Sequence, residues 1–160
     1  MPSATHSKLP DSQATAGCTV LIFRLARMSG YRLGEALASL GMRTQEFAVL
    51  HHLRQAGPLS QQQLGSALRI NPSNLVGLLD ALEAAGLVLR SPDPDDRRRH
   101  LVGLTAAGDR RFERARQAVE AAEQDLLAPL SRSERKQFHG VLERLAGHAC
   151  AASGGRGRAC

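Results

Sequence analysis

Residues 60–105 decide the fold, and they read SQQQLGSALRINPSNLVGLLDALEAAGLVLRSPDPDDRRRHLVGLT. Ser60 is followed three residues later by Gln63, a capping-box pattern that marks the start of a helix. Asn71 followed by Pro72 marks a second start, because asparagine is a good N-cap and proline is favoured at the first helical position. The apolar residues of this second helix fall on one stripe: Leu75, Leu78, Leu79 and Leu82. The stretch therefore predicts a short helix, a tight turn and a longer helix.

The remainder of the same stretch predicts a two-stranded hairpin with a basic tip. Short extended runs at residues 87–90 and 100–104 flank the segment PDPDDRRR. The two prolines and three aspartates of that segment are unfavourable in a helix and typical of a turn. Two helices followed by a hairpin predict a winged helix-turn-helix.

Further helices are predicted on both sides of this unit. Apolar residues recur at helical spacing between residues 16 and 40, and Thr44 is expected to cap a second helix. Thr105 is expected to cap a long fifth helix, and Ser131 with Glu134 forms a capping box that opens the sixth. The predicted fold class is therefore mainly α, an α+β winged helix with six helices, a two-stranded β-wing and dimerisation helices from both chain ends.

Composition allows a nucleic-acid partner and argues against several other classes. The 160-residue chain has 21 Lys+Arg against 15 Asp+Glu, and nearly all of its positive residues are arginine, which suits phosphates and base edges. Its three cysteines, Cys18, Cys150 and Cys160, are odd in number and lack CxxC spacing, which argues against a disulfide framework or a zinc cluster. We find no secretory-signal pattern and no apolar run long enough for a bilayer. These features predict a cytoplasmic protein with no membrane partner.

The exposed face of the longer helix is small and polar. With its leucines facing the core, the helix directs Ser73, Asn74 and Gly77 outward, as in a helix that lies in the major groove. Asn74 can offer a donor and an acceptor to an adenine edge, and Ser73 can bond a base or a phosphate. The start of the preceding helix offers three candidate contacts with the DNA backbone: Ser60, Gln61 and Gln62. Taken alone, these residues are also explained as caps and solvated polar faces.

The hairpin tip gathers Arg97, Arg98 and Arg99 next to two aspartates. A thin wing can insert an arginine into the narrow minor groove, where the potential is most negative. Asp96, two residues before Arg98, can orient that guanidinium through a bidentate pair. A solvated charge run is common by itself, but directly after a helix-turn-helix the DNA-binding interpretation is favoured.

The two end helices have apolar faces with little local partner. Burial against each other and against a second copy is the simplest solution, so we predict a homodimer. The predicted organisation is a disordered arm over 1–15, a helical dimerisation region over 16–42 and 106–147, a winged helix-turn-helix DNA-binding domain over 43–105, and a disordered tail over 148–160.

The segments INPSNLVGLLDALEAAGLV and DPDDRRRHLVGLTAAG resemble the recognition helix and the wing of the MarR family of bacterial transcription regulators. The resemblance covers roughly residues 35–127. It implies a homodimer on a pseudo-palindromic operator, usually a repressor relieved by a small ligand or by oxidation. It places Ser73, Asn74 and Gly77 on groove-facing sites and Arg98 on the minor-groove wing residue. Gly77 departs from the pattern, because many relatives have an arginine or another long side chain there.

The same resemblance implies an effector site between the dimerisation helices and the winged domain, where relatives often bind anionic aromatic ligands. The candidates in this chain are Arg24, Arg27, Tyr31, His51 and His52. For the two histidines, the favoured explanation is that they are ordinary partly buried residues near a helix end.

Thiol sensing is an alternative, because Cys18 is expected near the start of the first helix, where a helix N-terminus can activate a thiol. Peroxide-sensing relatives carry their cysteine at the position of Ile22, so the match is imperfect. The six histidines show no ligand pair at i, i+4 spacing, so no metal site is expected.

Two other classes compete with a DNA-binding regulator. An enzyme would need a phosphate loop, a nucleophile elbow or paired carboxylates in an apolar setting, and none of these patterns occurs. We therefore expect neither catalysis nor a cofactor. A winged helix used for protein contacts would need an apolar or acidic exposed face on the longer helix, whereas this face is small and polar.

Overall fold

The computed structural model describes residues 11–94, 96 and 99–152, with side chains from residue 17 to residue 148 within those ranges. Its elements in chain order are α1 (Asp11–Ala38), α2 (Thr44–Ala56), β1 (Leu59–Ser60), α3 (Gln61–Leu68), α4 (Pro72–Ala84), β2 (Val88–Pro92), β3 (His100–Leu104), α5 (Ala106–Leu126) and α6 (Arg132–Ala152). Over the described residues this order contains the six predicted helices and the predicted hairpin. The fold class is confirmed.

The sheet has three antiparallel strands in the order β1-β3-β2. The wing strands β2 and β3 pair from Val88↔Leu104 to Pro92↔His100. The third strand, β1, was not predicted. It contributes only the pairs Leu59↔Val102 and Ser60↔Leu101, which is too short a run for an alternating pattern to indicate. This strand joins the wing to the start of α3.

The core lies where α2, α3, α4 and the sheet meet the end of α1 and the start of α5. Its enclosed side chains are Leu37, Val49, Leu50, Leu64, Leu75, Leu79 and Val102. The predicted stripe of α4 is confirmed, because Leu78 and Leu82 are buried as well. Phe112 and Ala115 of α5 complete this core from the other side.

Most of the predicted helix starts are confirmed at atomic detail. The backbone N–H of Ser60 donates to Gln63 Oε1 at 2.8 Å, and that of Ser131 donates to Glu134 Oε2 at 2.8 Å. The prediction that Thr44 caps α2 is wrong, because the N-cap is Arg43. The carboxylate of Glu46, at the third position of the helix, accepts a hydrogen bond from the Arg43 N–H at 2.9 Å. The start of α2 is therefore capped by a glutamate side chain within its first turn.

Two predicted boundaries need correction. Helix α1 begins at Asp11, so residues 11–15 are not a loose arm, and α6 continues to Ala152, so residues 148–152 are not a loose tail. The segments DSQATA and HACAA carry no apolar stripe, but alanine and glutamine extend a helix that is already nucleated. The remainders of the predicted arm and tail, 1–10 and 153–160, lie outside the described residues.

The first half of α1 packs against little within one chain. Phe23 is 69% exposed and Leu21 55% exposed, and Val20, Ile22, Leu25 and Met28 are also exposed. Helix α6 shows a similar face, formed by Val141, Leu142 and Leu145. None of the described helices is both long and apolar enough to cross a membrane.

Candidate nucleic-acid interface

The turn between α3 and α4 is held by a left-handed residue and a close contact. Arg69 adopts φ 52°, and the N–H of Ile70 donates to the carbonyl of Gly65 at 3.1 Å. A Cβ at Gly65 would lie 3.3 Å from Leu75 Cδ2, so glycine lets the two helices approach closely. This geometry sets the angle at which α4 leaves α3.

Helix α4 exposes the residues predicted to face DNA. Asn71 Oδ1 accepts the N–H of Ser73 at 2.9 Å, which confirms the predicted cap. Ser73, Asn74 and Gly77 are exposed, opposite the buried leucines. Val76 is 41% exposed and was not singled out from the sequence. The exposed face of the helix is thus short and small, with polar Ser73 and Asn74 beside apolar Val76 and acidic Asp80, and its contacts with DNA stay a prediction.

The three candidates at the start of α3 differ in accessibility. Ser60 is buried, and its hydroxyl donates to Gln63 Oε1 at 2.8 Å. The predicted contact of Ser60 with the DNA backbone therefore does not fit this structure, because its hydroxyl is occupied by the capping box. Gln62 is exposed and Gln61 is half-buried, so these two stay candidate contacts.

The wing turn is closed by backbone hydrogen bonds. The N–H of Asp93 donates to the carbonyl of Arg99 at 2.9 Å, and the N–H of Arg99 donates to the carbonyl of Asp96 at 2.8 Å. The Arg99 side chain is exposed. Arg97 and Arg98 lie outside the described residues, and so does the predicted pairing of Asp96 with Arg98.

A cluster of charges that we did not predict joins the wing to α4. Arg90 Nη2 on β2 donates to Asp80 Oδ1 at 2.7 Å, and Arg90 Nη1 donates to Glu83 Oε2. The backbone N–H of Arg90 also donates to Glu83 Oε1, at 3.1 Å. These carboxylates raise the pKa of Arg90, chiefly through the Asp80 hydrogen bond. The i, i+3 spacing of Asp80 and Glu83 was visible in the sequence, but their partner across the turn was not.

The base of the wing is fastened to α5. Thr105 Oγ1 accepts the N–H of Gly108 at 2.9 Å, which confirms the predicted cap. The same hydroxyl donates to the carbonyl of Gly86 at 2.7 Å, and the Thr105 N–H donates to that of Leu87 at 3.1 Å. One threonine therefore connects the end of α4, the start of the wing and the start of α5.

Basic residues lie on the segments before and after helix α4 but not on the helix itself. Helices α3 and α4 contain no lysine or arginine. Basic residues stand instead at Arg43 before α2, at Arg69 in the turn and in the wing. The Arg43 side chain is 71% exposed, although it pairs with Glu46 at 2.8 Å. This arrangement suits phosphate contacts at the edges and base contacts from small polar groups in the middle.

The five candidate effector residues fall into two groups. Arg24, Arg27 and Tyr31 are exposed on α1. The Tyr31 hydroxyl donates to Glu35 Oε1 at 2.6 Å, and this hydrogen bond raises the pKa of Tyr31. His51 and His52 lie on α2. Among the described residues, no hydrogen bond, ion pair or ring contact joins the α1 group to either histidine.

His51 belongs to an aromatic cluster between α2 and α5. Its ring centroid lies 6.0 Å from that of Phe47 and 5.7 Å from that of Phe112, while its Nε2 lies 3.0 Å from Gln55 Nε2. His52 is half-buried. The expected partial burial therefore holds for His52, whereas His51 is exposed and packs through its ring contacts with Phe47 and Phe112.

A shallow cavity of about 410 Å³ opens beside the start of α4. It is lined by Thr44, Gln45, Ala48, Leu68, Arg69, Ile70, Asn71 and Asn74. None of the five candidate effector residues lines it, whereas Asn74, a predicted base contact, does.

Two further expectations concern Cys18 and metals. Cys18 is exposed, but α1 begins at Asp11, so the expectation that this cysteine lies at a helix N-terminus is wrong. The effect of a helix terminus falls off within the first turn, and Cys18 lies beyond it. No group of three or more metal-ligating side chains occurs among the described residues.

Comparison with known proteins places the chain in a family. A family model described as the MarR family matches residues 43–100. The HTH-type transcriptional repressor Rv2887 of Mycobacterium tuberculosis strain H37Rv is 31% identical over 125 residues, which cover 78% of this chain and 90% of that protein. The chain belongs to the MarR family. It is a DNA-binding transcription regulator of that family, as the sequence predicted.

Solved structures agree with the MarR assignment. The complex of Rv2887 with DNA matches at a TM-score of 0.70 and 30% identity, covering 79% of this chain and 95% of that one. The complex of Rv2887 with p-aminosalicylic acid matches at a TM-score of 0.68 and 30% identity, covering 80% of this chain and 97% of that one. Wild-type MarR of E. coli in its apo form matches at a TM-score of 0.70 and 27% identity, covering 87% of this chain and 98% of that one.

A shorter match is found with a putative transcriptional regulatory protein for the hcr operon of Thauera aromatica. It is 39% identical over 87 residues, 54% of this chain. The chain covers 52% of the length of that relative.

Proposed function

We propose that the protein is a dimeric repressor that binds a pseudo-palindromic operator in the cytoplasm and is released by a small anionic aromatic ligand. The similar protein Rv2887 is a transcriptional repressor, which supports repression here. Its complexes with DNA and with p-aminosalicylic acid support an operator and an aromatic acid as the two binding partners of this protein. The observation that carries the proposal is the exposure of Ser73, Asn74 and Gly77 on α4, with Arg69 exposed in the turn before the helix and Arg99 exposed on the wing after it.

The dimer is supported by the uncovered apolar faces of α1 and α6. Both helices belong to the regions assigned to dimerisation, with the winged domain at residues 43–105 between them. Large contiguous apolar patches are uncommon on monomers and mark association sites. A second copy that covers Leu21, Phe23 and Leu142 would hold the two recognition helices at a fixed spacing. Half-sites centred about 10 bp apart follow from two recognition helices one DNA turn apart.

DNA contacts divide between base reading and phosphate binding. Ser73 and Asn74 are assigned to base edges, with Gly77 allowing close approach. Gln61, Gln62, Arg97 and Arg99 are assigned to the backbone, and Arg98 to the minor groove. Asn74→Ala should cost roughly 1–3 kcal/mol at particular base pairs only. Arg98→Ala should weaken binding to all sequences and lower the salt slope by about one if one phosphate-type contact is lost.

The first test is a fluorescence anisotropy titration on DNA from upstream of the protein's own gene, at several salt concentrations. Specific and salt-sensitive binding supports the proposal, and binding that does not distinguish this DNA from random duplex contradicts the operator. Leu21→Asp should dissociate the dimer in analytical ultracentrifugation and reduce operator affinity, because it places a charge in the apolar face. Gln55→Asp, on the exposed surface of α2 and outside the regions assigned to dimerisation, is the control and should leave the dimer intact.

The effector is tested by adding aromatic carboxylic acids to the protein–DNA complex. Release of DNA that is lost in Arg27→Ala supports the site between α1 and α2. Release that survives Arg27→Ala but is lost in Arg69→Ala indicates the cavity beside Asn74 instead. If peroxide releases the DNA and Cys18→Ser abolishes that release, the protein responds to oxidation of Cys18 and the proposed ligand is contradicted.

A further inference from the structure

The only ionisable side chains on the recognition helix are two acids. Helix α4 reads PSNLVGLLDALEA, so its charged residues are Asp80 and Glu83. Asp80 is exposed on the same face as Ser73 and Gly77, with a side chain that is 57% accessible. Carboxylates facing phosphates repel them, and like charges across an interface are strongly unfavourable. The negative charge of the proposed recognition helix is therefore unfavourable for binding DNA.

Arg90 is the residue that offsets this charge. Its guanidinium contacts both carboxylates, through Nη2 to Asp80 and Nη1 to Glu83, and only 27% of its side chain is accessible. One positive charge against two negative charges reduces the net charge of the group from −2 to −1. The additional hydrogen bond from the Arg90 backbone N–H to Glu83 fixes strand β2 against the last turns of α4.

We propose that Arg90 is a positioning residue for DNA binding, which acts through Asp80 and Glu83 and does not itself contact DNA. It offsets the carboxylates of the recognition helix and sets the angle between that helix and the wing. The inference rests on the assignment of α4 as the recognition helix. Its geometric support is that both terminal nitrogens of the guanidinium already donate to carboxylates, so the fork that would bind a phosphate is engaged within the protein.

The test compares three variants on a fluorescein-labelled duplex of random sequence at low salt, where binding needs no knowledge of the operator. Arg90→Gln should weaken binding by about tenfold, because it exposes both carboxylates to the phosphates, and the loss should shrink as salt is raised. The triple variant Arg90→Gln, Asp80→Asn, Glu83→Gln removes the acids as well, and its affinity should return to within about threefold of the wild type.

A matched control lies on α5. Arg116 also bridges two carboxylates, those of Glu113 and Glu120, on a helix outside the winged domain. Arg116→Gln exposes an equivalent pair of acids and, compared at a concentration where analytical ultracentrifugation shows the variant to be dimeric, should leave duplex affinity unchanged. If Arg116→Gln weakens binding as much as Arg90→Gln, the effect is one of overall charge and the proposal is overturned.

The outcomes separate the alternatives. A triple variant that stays as weak as Arg90→Gln overturns the proposal, because Arg90 then contacts DNA or is required only for folding. An unchanged affinity for Arg90→Gln overturns it as well. Should Arg90→Gln fail to fold by circular dichroism, the double variant Asp80→Asn, Glu83→Gln decides: tighter duplex binding supports the proposal and weaker or equal binding overturns it. A wild-type protein that binds no duplex would instead remove the DNA assignment itself.

Discussion

Gly108, in the first turn of α5, has no room for a side chain. A Cβ at this position would lie 2.0 Å from the carbonyl oxygen of Leu87, 2.9 Å from its carbonyl carbon and 3.3 Å from Leu104 Cγ. The first two atoms are backbone and cannot rotate away. Gly108→Ala must therefore move the start of α5 away from the base of the wing, where Thr105 joins the two.

The expected loss of stability follows from three contributions. Overpacking costs about 1–3 kcal/mol, and weakening the Thr105 cap costs about 1 kcal/mol. Alanine regains about 1 kcal/mol of helix propensity relative to glycine. The sum is a destabilisation of about 1–3 kcal/mol for Gly108→Ala.

Urea unfolding followed by far-UV circular dichroism measures this change, at equal protein concentrations because dimerisation affects apparent stability. Gly77→Ala is the matched control, since Gly77 is also a helical glycine but its added Cβ has no heavy atom within 4 Å beyond its chain neighbours and the adjacent backbone of its own helix. The control should be stabilised by up to about 1 kcal/mol. If Gly108→Ala is as stable as Gly77→Ala, the close contact between α5 and the wing does not exist as described.

Two further changes test the core and one of the helix caps. Leu79→Ala should lower the free energy of unfolding by about 2–5 kcal/mol, because it leaves a cavity in the core. Val76→Ala, on the exposed face of the same helix, should change it by less than about 0.5 kcal/mol. Equal effects of the two variants in urea unfolding would contradict the packing of α4. Hydrogen bonds from Ser131 lower the pKa of Glu134, so this carboxylate stabilises the fold above its unfolded pKa and the contribution is lost as pH falls through the lowered folded value. The stability difference between the wild type and Ser131→Ala should therefore shrink towards acid, and a difference independent of pH would show that the hydroxyl acts without the charge.

Much of the fold was predictable because helix caps and helical periodicity are determined by residues close together in the sequence. Ser60 with Gln63, Asn71 with Pro72 and the cap at Thr105 each operate within one helical turn, so adjacent residues are enough to indicate them. The leucine stripe of α4 has the same property, because helical periodicity determines which side is buried once the helix is known.

What depends on residues distant in sequence was missed. Strand β1 exists only because Val102 and Leu101 pair with it, and two residues carry no pattern of their own. The cluster formed by Arg90, Asp80 and Glu83 requires the wing to return across α4, and the buried Ser60 lies in β1, which is paired with the distant Leu101. The start of α1 was misplaced for another reason, since its first turns have no apolar face to detect.

The space above Gly77 bears on how this regulator can acquire new targets. Its Cβ position is open, on the exposed face of α4 and one turn from Ser73. With α4 in the major groove as proposed, a single codon change in a duplicated copy of the gene would direct a side chain towards the bases without a clash at its Cβ. Stability places little constraint on that route, so divergence of operator preference should concentrate at residue 77. Selecting a library of substitutions at this residue against altered operators would show whether one position is enough.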